Sequence, residues 1–167
     1  QLENIGTAAK PKYTSVSEIV AINDHEFLID ERDGKGLGDD SKAGFKKIFQ
    51  VDLSTGQDVS NVTGESALAT KTVGKSLFVD LVALLKAKGY TDRTIPAKIE
   101  GLAFGPDVLV DGVLQHTLIV TNDNDFLDTV GVNGTPTANP NQFFVLGIPS
   151  DLLAGYQSQH IPDPTSL

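Results

Sequence analysis

Residues 99–104 read Ile-Glu-Gly-Leu-Ala-Phe, and residues 17–22 read Ser-Glu-Ile-Val-Ala-Ile. Each of these segments opens a set of three apolar segments, in which a glutamate (Glu18 or Glu100) stands near the start and the second segment runs into acidic residues. The first set continues at 27–33 and 45–53, and the second at 118–125 and 142–148. Repeated short apolar strands are typical of antiparallel blades in a β-propeller. The repeat therefore predicts an all-β protein with about two blades.

Chain length limits how much of a propeller is present. The chain has 167 residues and a mass of 17.7 kDa, which suits one domain, whereas a closed propeller needs roughly four blades or more. We therefore expect residues 1–167 to form a single β-propeller segment, either a fragment or one chain of a processed larger propeller. Its partners would be the remaining blades, supplied by the parent polypeptide or by a companion chain.

Charge and composition exclude several classes of function. The net charge is −9, which argues against nucleic acid and anionic membrane surfaces as partners, because both require basic patches. No apolar run approaches the roughly 18 residues of a membrane span. The absence of cysteine excludes disulfides and thiolate metal sites. An acidic chain of this kind remains compatible with binding of cations.

One segment has helical rather than strand periodicity. Leucines at 77, 81, 84 and 85 recur at helical spacing, with Ser76 placed to cap the start and Gly89 to cap the end. These signals predict one inserted helix near residues 76–88. Residues 130–141 are rich in Gly, Pro, Thr and Asn, so we expect a long loop there.

The repeated glutamates are the first candidates for a functional site. The innermost strand of each blade lines the central channel of a propeller, so Glu18 and Glu100 would both line that channel. Carboxylates crowded in this way need a cation or an arginine to neutralise them, and their hard oxygen atoms suit Ca²⁺ or Mg²⁺. The alternative is that each glutamate is simply solvated at the start of a strand.

Four consecutive oxygen-bearing side chains follow the apolar segment of the second set. They are Asn122, Asp123, Asn124 and Asp125. This run resembles the start of an EF-hand loop but departs from it, because Leu127 takes the fifth ligand position and Asp128 stands where the turn glycine belongs. The run predicts either a metal or substrate site, or a polar turn stabilised by side-chain bonds to its own backbone.

Arg32 occupies the matching place in the first set, within Asp30-Glu31-Arg32-Asp33. Its guanidinium can bind a phosphate or carboxylate with two parallel hydrogen bonds, or it can pair with Glu31 or Asp33 across a turn. Residues 69–76 also match a relaxed phosphate-binding loop before the expected helix, although no buried parallel strand precedes them. Nucleotide binding is thus a third and weaker possibility.

The sharpest motifs resemble one family. Residues 99–106 (Ile-Glu-Gly-Leu-Ala-Phe-Gly-Pro), residues 118–126 ending in Asn-Asp-Phe, and residues 142–145 (Gln-Phe-Phe-Val) are similar to the C-terminal part of the phytase-like domain described as "esterase-like activity of phytase". Segments 18–21 and 27–33 resemble the preceding blade of that family. The resemblance covers about residues 15–150, and the residues just before the Asn-Asp-Phe ending only approximate the family pattern.

This resemblance implies a β-propeller, usually in an exported protein, so we expect a secreted or periplasmic location. It also implies hydrolysis of a small phosphoester or carboxyl ester, assisted by a Ca²⁺-class ion. Related calcium propellers hold their ion on channel carboxylates, and we carry that role onto Glu18, Glu100 and Asp123. The expected catalytic residues are Glu100, Arg32 and Asp125, and the expected substrate-binding residues are Arg32, Asn122 and Asn124. The alternative function is a non-catalytic propeller that binds a protein or glycan, with a structural ion or none.

Overall fold

The computed structural model describes residues 1–159 and shows an all-β protein built from two antiparallel sheets and a hairpin. The first sheet has the order β1-β2-β3-β4, and the second has the order β5-β6-β9. β1 lies next to β5, so the two sheets meet at their first strands. The strands are β1 (Ser15–Ala21), β2 (Glu26–Arg32), β3 (Lys46–Asp52), β4 (Lys75–Asp80), β5 (Ile99–Val110), β6 (Val113–Asn122), β7 (Thr129–Val132), β8 (Thr135–Ala138) and β9 (Phe143–Pro149).

The sequence repeat corresponds to these sheets. The three segments of the first set become β1, β2 and β3, and those of the second set become β5, β6 and β9. Along each strand alternate side chains point to opposite faces, and one face of each sheet is buried in a shared apolar core. That core includes Val20, Leu28 and Ile48 from the first sheet, and Leu102, Leu118, Val120 and Ile148 from the second. Burial of this shared face is the main force that holds the sheets together.

The inserted helix is shorter than the sequence predicted. Residues 75–80 form β4, which pairs with β3, and the helix α2 covers only Leu81–Ala87. The prediction of a helix from residue 76 was wrong because Phe78 and Val79 suit a strand beside β3 better than a helix. Asp80, and not Ser76, caps the helix, since its carboxylate accepts a hydrogen bond from the Ala83 N–H at 3.0 Å.

The end of α2 agrees with the sequence. Gly89 has a φ of +93°, a left-handed conformation that glycine adopts at little cost. The N–H of Gly89 donates to the carbonyl of Lys86, and the N–H of Tyr90 donates to that of Leu85. These two bonds are the pair that closes a Schellman motif. The described residues also include a short helix α1 (Glu65–Ala69) and a 3₁₀ turn at Ser150–Leu153.

The expected long loop at residues 130–141 contains a hairpin. β7 and β8 pair around Asn133-Gly134, whose φ angles are +50° and +76°. Two successive positive φ values are typical of the tight turn that joins two strands directly, and an Asn-Gly pair favours it. No helix among residues 1–159 is long and apolar enough to cross a membrane.

The loop between β2 and β3 ties the two sheets together. Its Leu37 pairs in parallel with Pro96, just before β5, and the Leu37 N–H donates to the Ile95 carbonyl at 2.8 Å. Gly36 must be glycine here, because its φ is +131° and a Cβ atom would lie 2.3 Å from the Ile95 carbonyl oxygen. This contact fixes the end of β2 relative to the start of β5.

Candidate functional site

Two β-bulges mark the place where the sheets meet. The register of β1 against β2 shifts between Val16 and Glu18, and that of β5 against β6 shifts between Ile99 and Gly101. The residues between these positions are Ser17 and Glu100. A bulge redirects the side chain of its extra residue, and bulges are frequent beside active sites. Equivalent strands of the two repeats are therefore irregular near their starts, although the two bulges are offset by one position, because Ser17 corresponds to Ile99 in the repeat.

Arg32 bridges the two sheets at these bulges. Its Nη2 pairs with Glu100 Oε1, its Nε donates to Ser17 Oγ at 2.8 Å, and its Nη1 donates weakly to the Asp33 carbonyl at 3.4 Å. The arginine side chain is 13% exposed and the Glu100 side chain 30%. The expected alternative, a pair with the Glu31 or Asp33 side chain, is wrong. The guanidinium is instead held between β1, β2 and β5 by these contacts.

Asp30 lies beside this bridge and is completely buried. Neither of its carboxylate oxygens has a hydrogen-bond partner within the described part of the chain. Loss of hydration raises the pKa of Asp30 to about 7, and the negative charges of Glu100 and Glu18 add to this increase. The positive charges of Arg32 and Lys46 lower the pKa but do not cancel the increase. Asp30 therefore changes its protonation state near neutral pH, unlike an ordinary aspartate.

The buried amine of Lys46 has a different role. It lies among four oxygen atoms: Asp33 Oδ1 at 2.6 Å, the Asp33 and Ala97 carbonyls at 2.8 Å, and the Lys35 carbonyl at 3.0 Å. Burial lowers the pKa of Lys46, while the Asp33 carboxylate opposes that change. Because its partners come from both sides of the contact between the sheets, Lys46 is a structural link and its charge is already balanced.

The run of polar residues at 122–125 is a turn whose polar side chains form hydrogen bonds within the protein. Asn122 is buried, and its Oδ1 accepts from the Gln142 N–H at 2.7 Å. Asn124 donates to the Asn139 carbonyl at 2.9 Å and accepts from the Phe126 N–H, while Asp123 accepts from the Asp125 N–H. The bonds that Asp123 and Asn124 accept from N–H groups two residues ahead are those of the alternative interpretation, a turn stabilised by side-chain bonds to its own backbone. Asn122 and the amide of Asn124 instead bond to the segment just before β9.

Asp125 is paired with Lys98. This hydrogen bond is the main cause that raises the pKa of Lys98, and the charges of Glu100 and Asp123 add to it. Asp123, Asn124, Asp125 and Lys98 line a small cavity of about 140 Å³, which Asn139 and the loop around Gly38 complete. The structure thus divides the expected site residues into two groups: Glu18, Arg32 and Glu100 at the bulges, and Asn122 to Asp125 in the turn.

This division bears on the expected calcium ion. Among residues 1–159, no three histidine, aspartate or glutamate side chains have an arrangement that holds a metal. Glu100 is neutralised by Arg32, and Glu18 Oε1 accepts from the N–H of Ile19 at 2.9 Å. As they stand, Glu18, Glu100 and Asp123 therefore do not fit a Ca²⁺ ion.

Two residues that the sequence does not single out, Ser17 and Asp30, lie at the bulges together with Glu18, Arg32 and Glu100, and these five residues are called the bulge group. Ser17 orients Arg32, and Asp30 supplies the buried carboxyl. Asp30 had a detectable signal, because it alternates with Leu28 along a strand and so falls on the buried face. Nothing in the sequence indicates Ser17, since its contact depends on the bulge.

The fold and the site together define an antiparallel β protein in which arginine and carboxylate side chains converge where two repeated sheets meet. The phytase-like family described as "esterase-like activity of phytase" matches residues 1–126. The chain belongs to that family, and membership indicates an esterase-like hydrolytic activity. Neither a curated protein nor a solved structure matches the chain.

Proposed function

We propose that this chain contributes to a hydrolase that cleaves a small phosphoester or carboxyl ester at the bulge group (Ser17, Glu18, Asp30, Arg32 and Glu100). The observation that carries the proposal is the guanidinium of Arg32, fixed between the sheets next to a carboxyl group with a pKa of about 7. A guanidinium has five N–H donors, and three of them are used within the protein. The other two are available to an anionic oxygen of a substrate.

Hydrolysis of an ester requires two functions from the bulge group. Arg32 would hold the phosphoryl or carbonyl oxygen and stabilise the negative charge that grows on it when water attacks. A carboxylate would accept the proton of that water as the water oxygen bonds to the phosphorus or carbonyl carbon. The same carboxyl group would then return this proton to the alkoxide oxygen as the ester bond to it breaks. Glu100 is partly exposed and pairs with Arg32 through Oε1, so its Oε2 would act as the base. The buried Asp30 would change the local charge by gaining or losing its own proton.

Calcium binding remains a prediction, and the mechanism proposed above does not require it. No step above passes through a metal, because Glu18, Glu100 and Asp123 do not meet as a ligand set. A cation would nevertheless satisfy the oxygens of Asp30 that lack hydrogen bonds. Activity should therefore be measured both with a chelator and with added calcium, and turnover seen only with calcium would require the ion in the mechanism.

We also propose that the two sheets are neighbouring blades of a larger propeller, with the remaining blades as partners. The support is the exposure of apolar side chains on the faces that point away from the shared core. On the first sheet Val16, Ile19 and Leu77 are 50 to 54% exposed, and on the second Phe143 and Val145 are 71% and 63% exposed. Further blades would cover such faces.

The alternative is a binding module without catalysis. One observation favours it: the side chains of Asn122 and Asn124 and the carboxylate of Asp125 are all engaged within the described chain. The expected catalytic role of Asp125 and the substrate-binding roles of both asparagines therefore lack free groups in this arrangement.

Turnover of p-nitrophenyl phosphate and p-nitrophenyl acetate separates the two proposals. We expect Arg32→Lys and Glu100→Gln each to lower kcat/KM by roughly 100-fold or more, with unchanged circular dichroism. The matched control is Arg93→Lys, because Arg93 also forms an ion pair with a carboxylate, that of Asp40, but contacts no residue of the bulge group. Equal activity in all three variants would refute the proposed site, and a lack of any turnover would favour the binding module.

A further inference from the structure

The charges around the bulge group are unevenly balanced. Three basic side chains lie in or beside it, and each already has a carboxylate of its own. The pairs are Arg32 with Glu100, Lys46 with Asp33, and Lys98 with Asp125. The two lysines are close enough for their charges to reach Asp30 and Glu100, respectively. Every basic group near the site is thus neutralised by a partner before a substrate arrives.

Glu18 is a carboxylate without a basic partner. It forms no ion pair among residues 1–159, and its Oε1 accepts a hydrogen bond from the N–H of Ile19 at 2.9 Å. Its charge reaches the site, because it acts on Asp30. Even with Asp30 protonated, the one positive charge of Arg32 stands against the two negative charges of Glu18 and Glu100. The bulge group is therefore negative overall.

A negative site discriminates between the two classes of ester. A phosphate group on an ester carries a charge of about −1.5 to −2 at neutral pH, and sites that bind such groups supply arginines, lysines or a metal ion to balance it. A carboxyl ester is uncharged, and its carbonyl oxygen becomes anionic only as water attacks. One guanidinium with free N–H donors can stabilise that single charge, which is absent from the bound substrate.

We infer that the substrate is an uncharged carboxyl ester and that Glu18 disfavours phosphate esters by repelling their charge. This inference rests on the proposed hydrolysis and narrows it to one class of substrate. The water oxygen bonds to the carbonyl carbon, the bond from that carbon to the alkoxide oxygen breaks, and the proton of the water passes to this oxygen through Glu100. The products are a carboxylic acid and an alcohol, and water is the co-reactant.

Inhibition by inorganic phosphate tests the role of Glu18. Phosphate should inhibit hydrolysis of p-nitrophenyl acetate only weakly in the wild type. Glu18→Gln should lower the inhibition constant of phosphate about three- to tenfold at low ionic strength, because one repelling charge is removed. The amide oxygen of glutamine can still accept the bond from the Ile19 N–H, so the bulge should be retained. Added salt should reduce the difference, because salt screens charge repulsion.

Asp111→Asn is the matched control. It removes the same charge, but Asp111 lies in the turn between β5 and β6, at the end of β5 opposite to Glu100. Asparagine also tolerates the φ of +50° at this position. The inhibition constant of phosphate should equal that of the wild type. An equal constant in Glu18→Gln, or an equally large decrease in Asp111→Asn, would overturn the role of Glu18.

Turnover separates this inference from the proposed function. Hydrolysis of the acetate ester without hydrolysis of p-nitrophenyl phosphate would support both. Hydrolysis of p-nitrophenyl phosphate, with or without that of the acetate, would overturn the restriction to carboxyl esters and leave the proposed hydrolase standing. A lack of turnover of either ester would refute the hydrolase, and the inferred substrate class with it.

Discussion

Replacing Asp30 by asparagine should make the protein more stable at neutral and alkaline pH. Asparagine has nearly the shape of aspartate and stays uncharged, so it resembles the protonated carboxyl group. Asp30 is fully buried, and neither of its oxygens accepts a hydrogen bond within the described residues. Loss of hydration therefore destabilises the ionised wild type, whereas the uncharged variant does not carry this charge into the interior.

The size of the effect follows from the pKa of Asp30. Burial raises this pKa from 3.8 to about 7, a difference of about three units, and each unit corresponds to about 1.4 kcal/mol. Between pH 4 and 7 the unfolded chain has lost the proton that the folded chain keeps, so stability falls as pH rises. Above pH 7 the ionised wild type should be about 4 kcal/mol less stable than at a pH below 4, on account of this one group.

Urea unfolding at several pH values measures this difference directly. At pH 8 we expect the unfolding midpoint of Asp30→Asn to exceed that of the wild type by about 2 M, given a slope of about 2 kcal/mol per M. At pH 4 the two midpoints should nearly coincide. Other titrating groups are common to both proteins, so the difference between the two pH profiles isolates Asp30. Parallel profiles from pH 4 to 8 would show that the Asp30 carboxyl is hydrated or paired.

Two further substitutions test the contact between the sheets. Lys46→Met should destabilise the fold by about 3–5 kcal/mol in the same urea assay, because it leaves the buried Asp33 carboxylate without its partner; a loss below about 1 kcal/mol would contradict the structural role of this pair. Gly101→Ala should cost about 1–3 kcal/mol, because a Cβ atom there would lie 2.6 Å from Thr121 Cγ2. Thr121→Ser removes that methyl group, so it should restore most of the loss in the double variant, and simple additivity would show that the two side chains do not clash.

The sequence predicted the strands well because each strand carries its own pattern. All six expected strands are present within a few residues, and the Asp111-Gly112 turn joins β5 to β6 with two positive φ values. The errors lie where two local preferences compete. Residues 76–80 have leucine spacing for a helix, but pairing with β3 outweighs it. At residues 130–141 the composition predicts a loop, whereas the Asn133-Gly134 turn joins two paired strands.

The candidate site was only partly predictable for a different reason. Periodicity indicates which face of a strand is buried, but it does not indicate where the register shifts. Glu18, Arg32 and Glu100 were found because they repeat or carry charge, whereas the bond from Arg32 to Ser17 exists only because of a bulge. The same limit explains the turn at 122–125, whose polar atoms are used by neighbours that lie up to 20 residues away.

The energetics of Asp30 indicate what kind of residue it is. Stability at neutral pH would be better served by an uncharged side chain, and the neighbouring strand positions show that apolar residues fit this face, since Leu28 and Ile48 are completely buried there. When ionised, this carboxyl group destabilises the fold by about 4 kcal/mol. It also gives no packing advantage over leucine or asparagine. Its carboxyl group lies instead within the electrostatic influence of Arg32 and Glu100, whose charges act on its pKa in opposite directions. Destabilising polar groups of this kind are characteristic of functional sites, where activity and stability oppose each other. The stability gain of Asp30→Asn and a loss of hydrolysis in the same variant would therefore be two results of one cause.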